Sequence, residues 1–291
     1  MGAVETPARQ PPVLPRVIAE RYKVLGERGR GGMGHVLDVQ DTVSYRRAVA
    51  KVLLPEYASV PEVVQRFERE AKIMSGIKHP NIVEVYAWGH GDDGRLYIVM
   101  ELLKGLELAD LLREGVIAPR VARAYGLDVL RALDTAHRLG VVHRDIKPGN
   151  IFIEDRPGSR PVARVIDFGI AAQVDGEGTQ ARGLGTPSYM APEQMLGEPP
   201  DVRSDLYSLG LVLYRALTRR LPHDGKGFQM LRQRLKEPPI PIERVCTGEL
   251  PRGLGEVIMR SLALEPEHRW QTAPAMADAL AWVQTRRSVS Q

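Results

Sequence analysis

Hydrophobic and polar positions follow different spacings in the two parts of the chain. Between Tyr22 and Met100 short apolar runs alternate as in β-strands, which predicts strands over residues 22–28, 35–40, 46–54 and 95–100. From about Leu106 onward apolar residues recur with the helical period of about 3.6, which predicts long helices over residues 119–139, 204–218, 253–264 and 272–284. Strands followed by helices in separate runs predict an α+β protein in two unequal lobes.

Local signals mark where several elements begin and end. One helix interrupts the strands, and Ser59 and Glu62 have the spacing of a capping box at its start. The pair Asp93-Gly94 is typical of a hairpin turn before the last strand. Gly140 is expected to end the first long helix. Residues 101–105 are predicted to connect the two lobes.

The composition is that of a globular protein with short tails. The chain has 291 residues, 43% hydrophobic and 26% charged, which excludes disordered, collagen-like and low-complexity classes. Residues 1–20 are rich in proline and small residues, which predicts an extended, disordered tail. We predict one folded domain over residues 21–284, followed by a polar tail at 285–291. Its first lobe is expected at 21–100 and its second at 106–284.

Charge, apolar runs and cysteine content narrow the class of protein. The net charge is +4, from 40 Lys and Arg against 36 Asp and Glu, but the basic residues are scattered, so no nucleic-acid partner is predicted. No apolar run approaches the roughly 20 residues that a membrane-spanning helix needs. The only cysteine, Cys246, rules out an internal disulfide and suits a reducing compartment, which predicts a cytoplasmic location.

Residues 29–36 read Gly-Arg-Gly-Gly-Met-Gly-His-Val and fit the pattern G-x-G-x-x-G-x-V. Glycines let backbone N–H groups come close to an anion because no side chain blocks them. The pattern alone also fits a flexible surface hairpin or a dinucleotide-binding turn. A dinucleotide turn opens a helix, whereas residues 35–40 are predicted to continue as a strand, so a flap over a nucleotide triphosphate fits better.

Lys51 and Glu70 are two charged residues in apolar surroundings. Lys51 ends the apolar run 48–50, where a lysine either extends to solvent or is held by an anion. On the following helix Glu70 shares one face with Phe67, Met74 and Ile77. A buried carboxylate without a partner is expensive. Glu70 therefore either pairs with Lys51 and aims its ammonium group at a phosphate, or lies in water at the edge of the apolar face.

The densest polar chemistry lies in residues 141–150, Val-Val-His-Arg-Asp-Ile-Lys-Pro-Gly-Asn. Asp145 can accept a hydroxyl proton, Lys147 can neutralise a transferring phosphoryl group, and Asn150 offers an oxygen to a metal ion. Asp167, which begins an Asp-Phe-Gly triplet, would lie beside Asn150 if the strand-like runs on either side of the intervening turn pair. Oxygen ligands of this kind suit Mg²⁺.

This set of motifs resembles the eukaryotic-like, or Hanks-type, serine/threonine protein kinases of the bacterial branch. The glycine-rich flap, strand lysine, helix glutamate, HRD loop with its asparagine, DFG and Ala191-Pro192-Glu193 occur in family order over residues 22–283. The resemblance implies the two-lobed protein kinase fold, with a small antiparallel-sheet N-lobe that contains one helix and a larger, mainly helical C-lobe. It also implies ATP-dependent phosphorylation of serine and threonine in protein substrates, with Mg²⁺, or alternatively Mn²⁺, as the metal.

The resemblance further implies a role for each motif residue. The ATP-binding residues would be Gly29, Gly31, Gly34, Val36, Val49, Lys51, Met100, Glu101, Leu103 and Phe152. Asp145 would be the catalytic base and Lys147 the phosphate neutraliser, with Lys51 held by Glu70. The metal ligands would be Asn150 and Asp167.

Two residues outside these motifs are implied to be structural. Asp205 would brace the backbone of the catalytic loop, although its position alone indicates only an acid at the start of a helix. Arg269 would be the buried partner of Glu193, although by its sequence position it could equally be an exposed cation.

Val49 and Phe152 depart from the family pattern, which usually has alanine and leucine at these two positions. A reshaped, tighter adenine pocket with lowered ATP affinity is the resulting hypothesis. The alternative function is a pseudokinase, a nucleotide-binding or partner-binding module with little turnover. Against it, Lys51, Asp145 and the two metal ligands are all present.

Residues 175–185 are rich in glycine and form either a passive surface loop or a regulatory one. The resemblance favours regulation, because Arg144 precedes the catalytic base and in this family usually meets a phosphorylated loop. A phosphate adds negative charge and can order a loop through arginine. We predict autophosphorylation at Thr179 through a transient homodimer, whereas Thr186 is implied to contact the catalytic loop.

Overall fold

A computed structural model of the chain describes residues 15–30, 34–168, 187–223, 225 and 228–283. Its N-terminal lobe is built on six strands: β1 (Val17–Ile18), β2 (Tyr22–Arg30), β3 (Gly34–Asp41), β4 (Arg47–Leu53), β5 (Val85–His90) and β6 (Leu96–Glu101). They form one antiparallel sheet in the order β1-β2-β3-β4-β6-β5. Alternate residues of β3 and β4 face opposite sides of this sheet, so each side has its own apolar cluster.

Two helices follow β4 in this lobe, α1 (Pro55–Ala58) and α2 (Pro61–Ser75). The residue before α2 is Val60, and no side chain caps its first turn. The predicted capping box at Ser59 is therefore wrong. Ser59 instead ends α1, a separate helical turn that the pattern did not indicate. Pro61 occupies the first turn of α2, where its missing N–H leaves no helical bond unmade.

The C-terminal lobe is mainly helical. Its helices are α3 (Leu108–Glu114), α4 (Pro119–Arg138), α5 (Pro192–Met195), α6 (Val202–Thr218), α7 (Phe228–Lys236), α8 (Leu254–Ser261) and α9 (Ala273–Trp282). A small antiparallel sheet, in the order β7-β8-β9, consists of β7 (Gly105–Glu107), β8 (Ile151–Glu154) and β9 (Val162–Val165). Most of α6 is buried, which explains its nearly continuous apolar sequence. The predicted α+β architecture in two unequal lobes is confirmed.

The segment between the lobes runs from the last residue of β6 to the first residue of β7. Gly105 has a φ of +137°, and a Cβ there would lie 2.0 Å from the carbonyl oxygen of Ile153. Only glycine allows β7 to pair so closely with β8. The helical pattern predicted from Leu106 onward starts too early, because residues 105–107 join a sheet.

The predicted tail at residues 1–20 needs one correction. Val17 and Ile18 form β1, which pairs with Lys23 and Tyr22, and Ile18 is buried. Backbone pairing and apolar burial place these two residues in the folded lobe despite the prolines that precede them. Residues 1–14 and 284–291 lie outside the described residues. In the described part of the chain, no helix is both long enough and apolar enough to cross a bilayer.

Candidate active site

The glycine-rich residues 29–36 include the end of β2 and the start of β3, and residues 31–33 lie outside the described residues. Gly29 pairs with Val36 across the two antiparallel strands. Because β3 continues as a strand after the turn, the dinucleotide-binding alternative is excluded. Gly34 allows a close backbone approach, since a Cβ there would lie 2.6 Å from the carbonyl oxygen of Val52. Gly31 lies outside the described residues.

Lys51 on β4 lies between two carboxylates. Its Nζ donates to Oδ1 of Asp167 at 3.3 Å and is 3.7 Å from Oε1 of Glu70. Glu70 is only 4% exposed, so the alternative that places it in water is wrong. Burial raises the pKa of Glu70 to about 7. Burial alone would lower the pKa of Lys51, but the charges of Asp167 and Glu70 outweigh it and raise that pKa, which keeps Lys51 cationic.

The catalytic-loop residues converge on the carboxylate of Asp145. Lys147 Nζ donates to Oδ2 of Asp145 at 2.5 Å. Asn150 Nδ2 donates to the same oxygen at 2.9 Å and to the carbonyl oxygen of Asp145 at 2.8 Å. The carboxylate is thus oriented by a cation and an amide, while about a quarter of its side chain stays exposed. The structure brings these three predicted residues together.

Asp205, in the first turn of α6, fixes the backbone of this loop. Its carboxylate accepts from the N–H groups of His143 and Arg144, both at 2.8 Å, and from His137 Nε2 at 2.8 Å. Arg144 has a φ of +70°, a left-handed conformation that is unfavourable for any residue with a Cβ atom. The two charge-assisted hydrogen bonds hold it there, so the implied bracing role of Asp205 is confirmed.

Asp167 and Asn150 lie at adjacent ends of the pair formed by β8 and β9. Ile151 pairs with Val165, and the N–H of Ile166 donates to the carbonyl oxygen of Asn150 at 3.1 Å. The expected pairing of the two strands is therefore confirmed. Phe168, which follows Asp167, is fully buried with its ring 4.6 Å from that of His143.

The donor set here suits a hard divalent cation that shares its coordination with phosphate oxygens. The amide nitrogen of Asn150 donates both of its hydrogens to Asp145, so the amide oxygen Oδ1 is the atom that could bind a metal ion. Asp167 supplies the carboxylate. Among the residues that the structure describes, no group of three or more His, Cys, Asp or Glu side chains could hold a metal by itself. The oxygens of Asn150 and Asp167 would suit Mg²⁺, which is commonly bound through one or two protein oxygens plus phosphate oxygens.

The residues expected around the adenine come from both lobes. Val49 on β4 pairs with Met100 on β6, and each is 9% exposed. Val36 from β3 and Phe152 from β8 pack against the same apolar cluster from opposite sides of the cleft. Leu103, in the segment between the lobes, is buried in this cluster as well. The apolar residues of the predicted pocket thus all belong to, or pack against, one cluster that extends through both lobes.

Arg164 is a residue near the site that sequence reasoning missed. It lies on β9, is 6% exposed, and donates from Nη1 to Glu101 at 3.4 Å and to Glu154 at 3.3 Å. Its Nη2 also contacts Glu101 and donates to the carbonyl oxygen of Ile82 at 2.6 Å. The signal was a single arginine inside the apolar run 162–166. Arg164 therefore connects Glu101, in the segment between the lobes, with Ile82 in the N-terminal lobe and Glu154 in the C-terminal lobe.

Glu193 and Arg269 form a buried ion pair in the C-terminal lobe. Two parallel hydrogen bonds join the guanidinium group to the carboxylate, at 2.8 and 2.9 Å, and Arg269 is 0% exposed. Burial alone would raise the pKa of Glu193, but hydrogen bonds from Arg269 and Ser204 outweigh it and hold that pKa below its ordinary value. The implied pairing of Arg269 is confirmed, and the exposed alternative is wrong.

The predicted phosphorylation site, Thr179, lies outside the described residues, as does Thr186. The site geometry therefore rests on residues up to Phe168 and from Pro187 onward. Every other predicted catalytic or metal-binding side chain, namely Lys51, Glu70, Asp145, Lys147, Asn150 and Asp167, is described and lies in or beside the cleft between the lobes.

Comparisons with known proteins agree with this geometry. The chain is 38% identical over 264 residues to the serine/threonine-protein kinase Pkn1 of Myxococcus xanthus, which covers 89% of this chain and 38% of that relative. It is 37% identical to the serine/threonine-protein kinase PknA of Mycobacterium tuberculosis over 94% of this chain and 64% of that relative. The chain thus spans less than two thirds of the length of these relatives.

A solved structure and a family model extend the comparison to the fold. The crystal structure of the Mycobacterium tuberculosis PknI kinase domain matches with a TM-score of 0.73 and 28% identity, over 93% of this chain and 99% of that one. The family model described as "Protein kinase domain" matches residues 22–280. With its two lobes and its cleft of convergent polar residues, this chain belongs to the protein kinase domain family.

Proposed function

We propose that this chain transfers the γ-phosphoryl group of ATP to serine and threonine hydroxyls of protein substrates. The observation that carries the proposal is the Asp145 carboxylate, oriented by Lys147 and Asn150 in the same cleft as the Lys51–Asp167 ion pair. Asp145 can accept a proton, while the ammonium groups of Lys147 and Lys51 can neutralise the negative charge of phosphate. The serine/threonine kinases among the relatives support the choice of acceptor.

In this proposal each side chain has one task. Asp145 accepts the hydroxyl proton as the acceptor oxygen attacks the γ-phosphorus, and the bond from that phosphorus to the β-γ bridging oxygen breaks. Lys147 stabilises the negative charge on the transferred group. Lys51, kept cationic by Asp167 and Glu70, holds the nucleotide phosphates in line. Asp205 keeps the loop backbone in the conformation that presents Asp145.

ATP and Mg²⁺ complete the proposed site. Asn150 and Asp167 would hold the ion, which would supply further neutralisation of phosphate charge. Val36, Val49, Met100 and Phe152 would enclose the adenine, and the backbone of Glu101 and Leu103 would bind its polar edge. Mn²⁺ offers a similar preference for oxygen ligands and is proposed as a substitute.

Incubation with γ-labelled ATP and a generic protein acceptor tests the proposed function. We expect label on serine and threonine with Mg²⁺ and none after chelation, because phosphate charge would then be left unneutralised. Mass spectrometry of the product should find phosphate within residues 175–188, at Thr179, through autophosphorylation in a transient homodimer. Nucleotide binding without any transfer would instead support the pseudokinase alternative, and product without phosphate on 175–188 would remove the autophosphorylation proposal.

The pseudokinase alternative rests on the adenine pocket, where Val49 is branched and nearly buried against Met100. If Val49 crowds the adenine, Val49→Ala should tighten ATP binding by about three- to tenfold, since overpacking costs on the order of 1 kcal/mol or more. Titration calorimetry with ATP measures this. Val39→Ala is the matched control, because Val39 is fully buried in the apolar cluster on the other side of the sheet. Equal affinities in wild type and Val49→Ala would contradict the hypothesis.

Two chemical features support a cytoplasmic location for the domain. ATP is a metabolite of the cell interior, and the single cysteine, Cys246, is a free thiol. We therefore propose that the kinase domain faces the cytoplasm and acts on protein substrates there. The relatives are longer than this chain, so the activity and partners of the whole protein belong to the proposal.

A further inference from the structure

Arg28 is an extra residue in the pairing of β2 with β3. Glu27 pairs with Leu37 and Gly29 pairs with Val36, so Arg28 falls between two successive pairs. An extra residue in one strand of an antiparallel pair forms a β-bulge, which changes the direction of a side chain. This bulge lies directly before the glycine-rich residues and therefore affects how the Arg28 side chain lies relative to the proposed nucleotide site.

The side chain of Arg28 forms an ion pair with Asp38 on β3. Its Nε and Nη2 donate to Oδ1 of Asp38 at 3.1 and 3.0 Å, and both side chains are partly exposed, by 45% and 24%. The preceding residue, Glu27, contacts Nδ1 of His35 at 2.6 Å instead. Because His35 and Asp38 are an odd number of residues apart, they lie on opposite faces of β3. The consecutive residues Glu27 and Arg28 thus reach opposite faces of the sheet.

Asp38 lies on the face of the sheet that lines the cleft. It is opposite Val49 across β3 and β4, just as Val36 is opposite Lys51. Directly opposite residues of an antiparallel pair have their side chains on the same face. Val36 and Val49 belong to or pack against the apolar cluster that contains Met100. The ion pair of Asp38 is therefore on the cleft side of the sheet.

The ion pair lies toward the end of the cleft that is proposed to bind the base. Lys51, which is proposed to hold the nucleotide phosphates, is opposite Val36. Asp38 is two residues further along β3, a distance of roughly 7 Å. Val49, which is opposite Asp38, pairs with Met100 next to the segment between the lobes. The guanidinium group is thus displaced from the phosphate end of the cleft toward this segment.

We propose that Arg28 binds the purine of the nucleotide, with its guanidinium group stacked on the face of the base and held there by Asp38. This role of Arg28 rests on the proposed function and adds to it a residue that sets affinity for the base. A guanidinium group is planar and weakly hydrated, and it stacks on aromatic rings. Because Asp38 balances its charge, the group adds little attraction for phosphate. Asp38 also limits its conformational freedom before the nucleotide binds, which lowers the entropic cost of stacking.

Stacking on the base and contact with the phosphates have different consequences for two ligands. Adenosine contains the base without the phosphates, and ATP contains both. Loss of a group that stacks on the base should weaken the binding of adenosine and of ATP by the same factor. Loss of a group that contacts the phosphates should weaken the binding of ATP alone.

Calorimetric titration of the full chain with ATP and Mg²⁺, and displacement of the bound ATP by adenosine, test this role. Arg28→Ala removes the guanidinium group, and we expect both dissociation constants to rise by the same factor, roughly three- to tenfold, the range for a cation over an aromatic ring. Arg28→Lys keeps a charge without the plane and should fall between the wild type and Arg28→Ala. Asp38→Asn should raise both constants about two- to threefold, as for the loss of a partly exposed ion pair.

Arg21 provides a matched control in the same sheet. It donates to Asp41 on β3 at 3.1 and 2.7 Å, and 50% of its side chain is exposed, so it resembles Arg28 in chemistry and exposure. Asp41 is three residues after Asp38 and lies on the other face of the strand. Arg21→Ala should therefore leave the dissociation constants of ATP and adenosine unchanged.

A second control concerns the shape of the bulge. Glu27→Gln weakens the contact with His35 on the other face of the sheet and leaves Arg28 in place. If the shape of the bulge set the affinity, this variant would raise the adenosine dissociation constant as much as Arg28→Ala does. We expect that constant to stay within about twofold of the wild-type value.

The outcomes distinguish the role of Arg28 from the proposed function. A chain that binds ATP but transfers no phosphate contradicts the proposed function, and the adenosine comparison still decides the role of Arg28. A chain that binds no nucleotide overturns both. Unchanged adenosine affinity in folded Arg28→Ala, or an equal loss in Glu27→Gln, overturns the role of Arg28 while the function stands. Thermal unfolding identifies the folded variants, and should Arg28→Ala not fold, Arg28→Lys and Asp38→Asn decide by the same comparison.

Discussion

Replacing Asp145 with asparagine should slow phosphoryl transfer about 10²–10⁴-fold, the range for loss of a general base. An amide has nearly the shape of the carboxylate and can still accept a hydrogen bond from Lys147, but it cannot take up the hydroxyl proton. ATP affinity should stay close to that of the wild type, because Lys51 and Asp167 remain paired. Rates with labelled ATP and calorimetric titration of the nucleotide measure the two effects separately.

Asp134→Asn is the control for this substitution. Asp134 lies on α4 and pairs with Arg138 at 3.0 Å on the surface, so the same chemical change there should leave the rate unaltered. A wild-type rate in Asp145→Asn would show that another group takes the proton. A parallel loss of ATP affinity would mean that the substitution disturbs the nucleotide site rather than the chemical step.

Replacing Arg269 with methionine should lower the free energy of unfolding by about 3–5 kcal/mol, because Glu193 would be left as a buried charge without its main partner. The substitution also removes hydrogen bonds to the carbonyl oxygens of Ala263 and Leu264, at 2.8 and 2.7 Å. Urea titration followed by circular dichroism measures the loss. A decrease below about 1 kcal/mol would contradict the view that the pair is effectively desolvated.

An exposed pair provides the comparison. Arg113 on α3 contacts Asp110 one turn away with 72% of its side chain exposed, so Arg113→Met should cost less than about 0.5 kcal/mol. The acid dependence offers a second check of the buried pair. Since the folded-state pKa of Glu193 is lowered, its stabilising contribution is present above the unfolded pKa and is lost as the pH falls through the folded one. The Arg269→Met variant should lose most of this part of the acid dependence.

The sequence could predict those parts of the site in which chemistry is dense and local. The cluster from His143 to Asn150 lies in one loop. Asp167 closely follows β9, which pairs with β8, the strand that begins directly after Asn150, so a short-range pattern was sufficient. The strands β3, β4 and β6 were also predictable, because each alternates or is mainly apolar, whereas in β2 only the first half carries an apolar pattern.

Elements that depend on distant partners escaped the pattern. Residues 85–90 form β5 at the edge of the sheet with half-exposed side chains, so neither face gives a clear apolar alternation. Residues 105–107 read as the start of a helix, yet they pair with β8, a strand more than forty residues away along the chain. Arg164 and Arg234 looked like ordinary cations, because their carbonyl and carboxylate partners come from segments remote in sequence.

The contacts of Arg164 have a consequence for how the lobes can move. Asp167 lies three residues after Arg164 along the chain. The guanidinium group of Arg164 also forms an ion pair with Glu101 in the segment between the lobes. A rotation of one lobe about that link must either break this ion pair or pull β9 along, shifting Asp167. A ligand that changes the angle between the lobes would thus also displace the carboxylate beside Lys51.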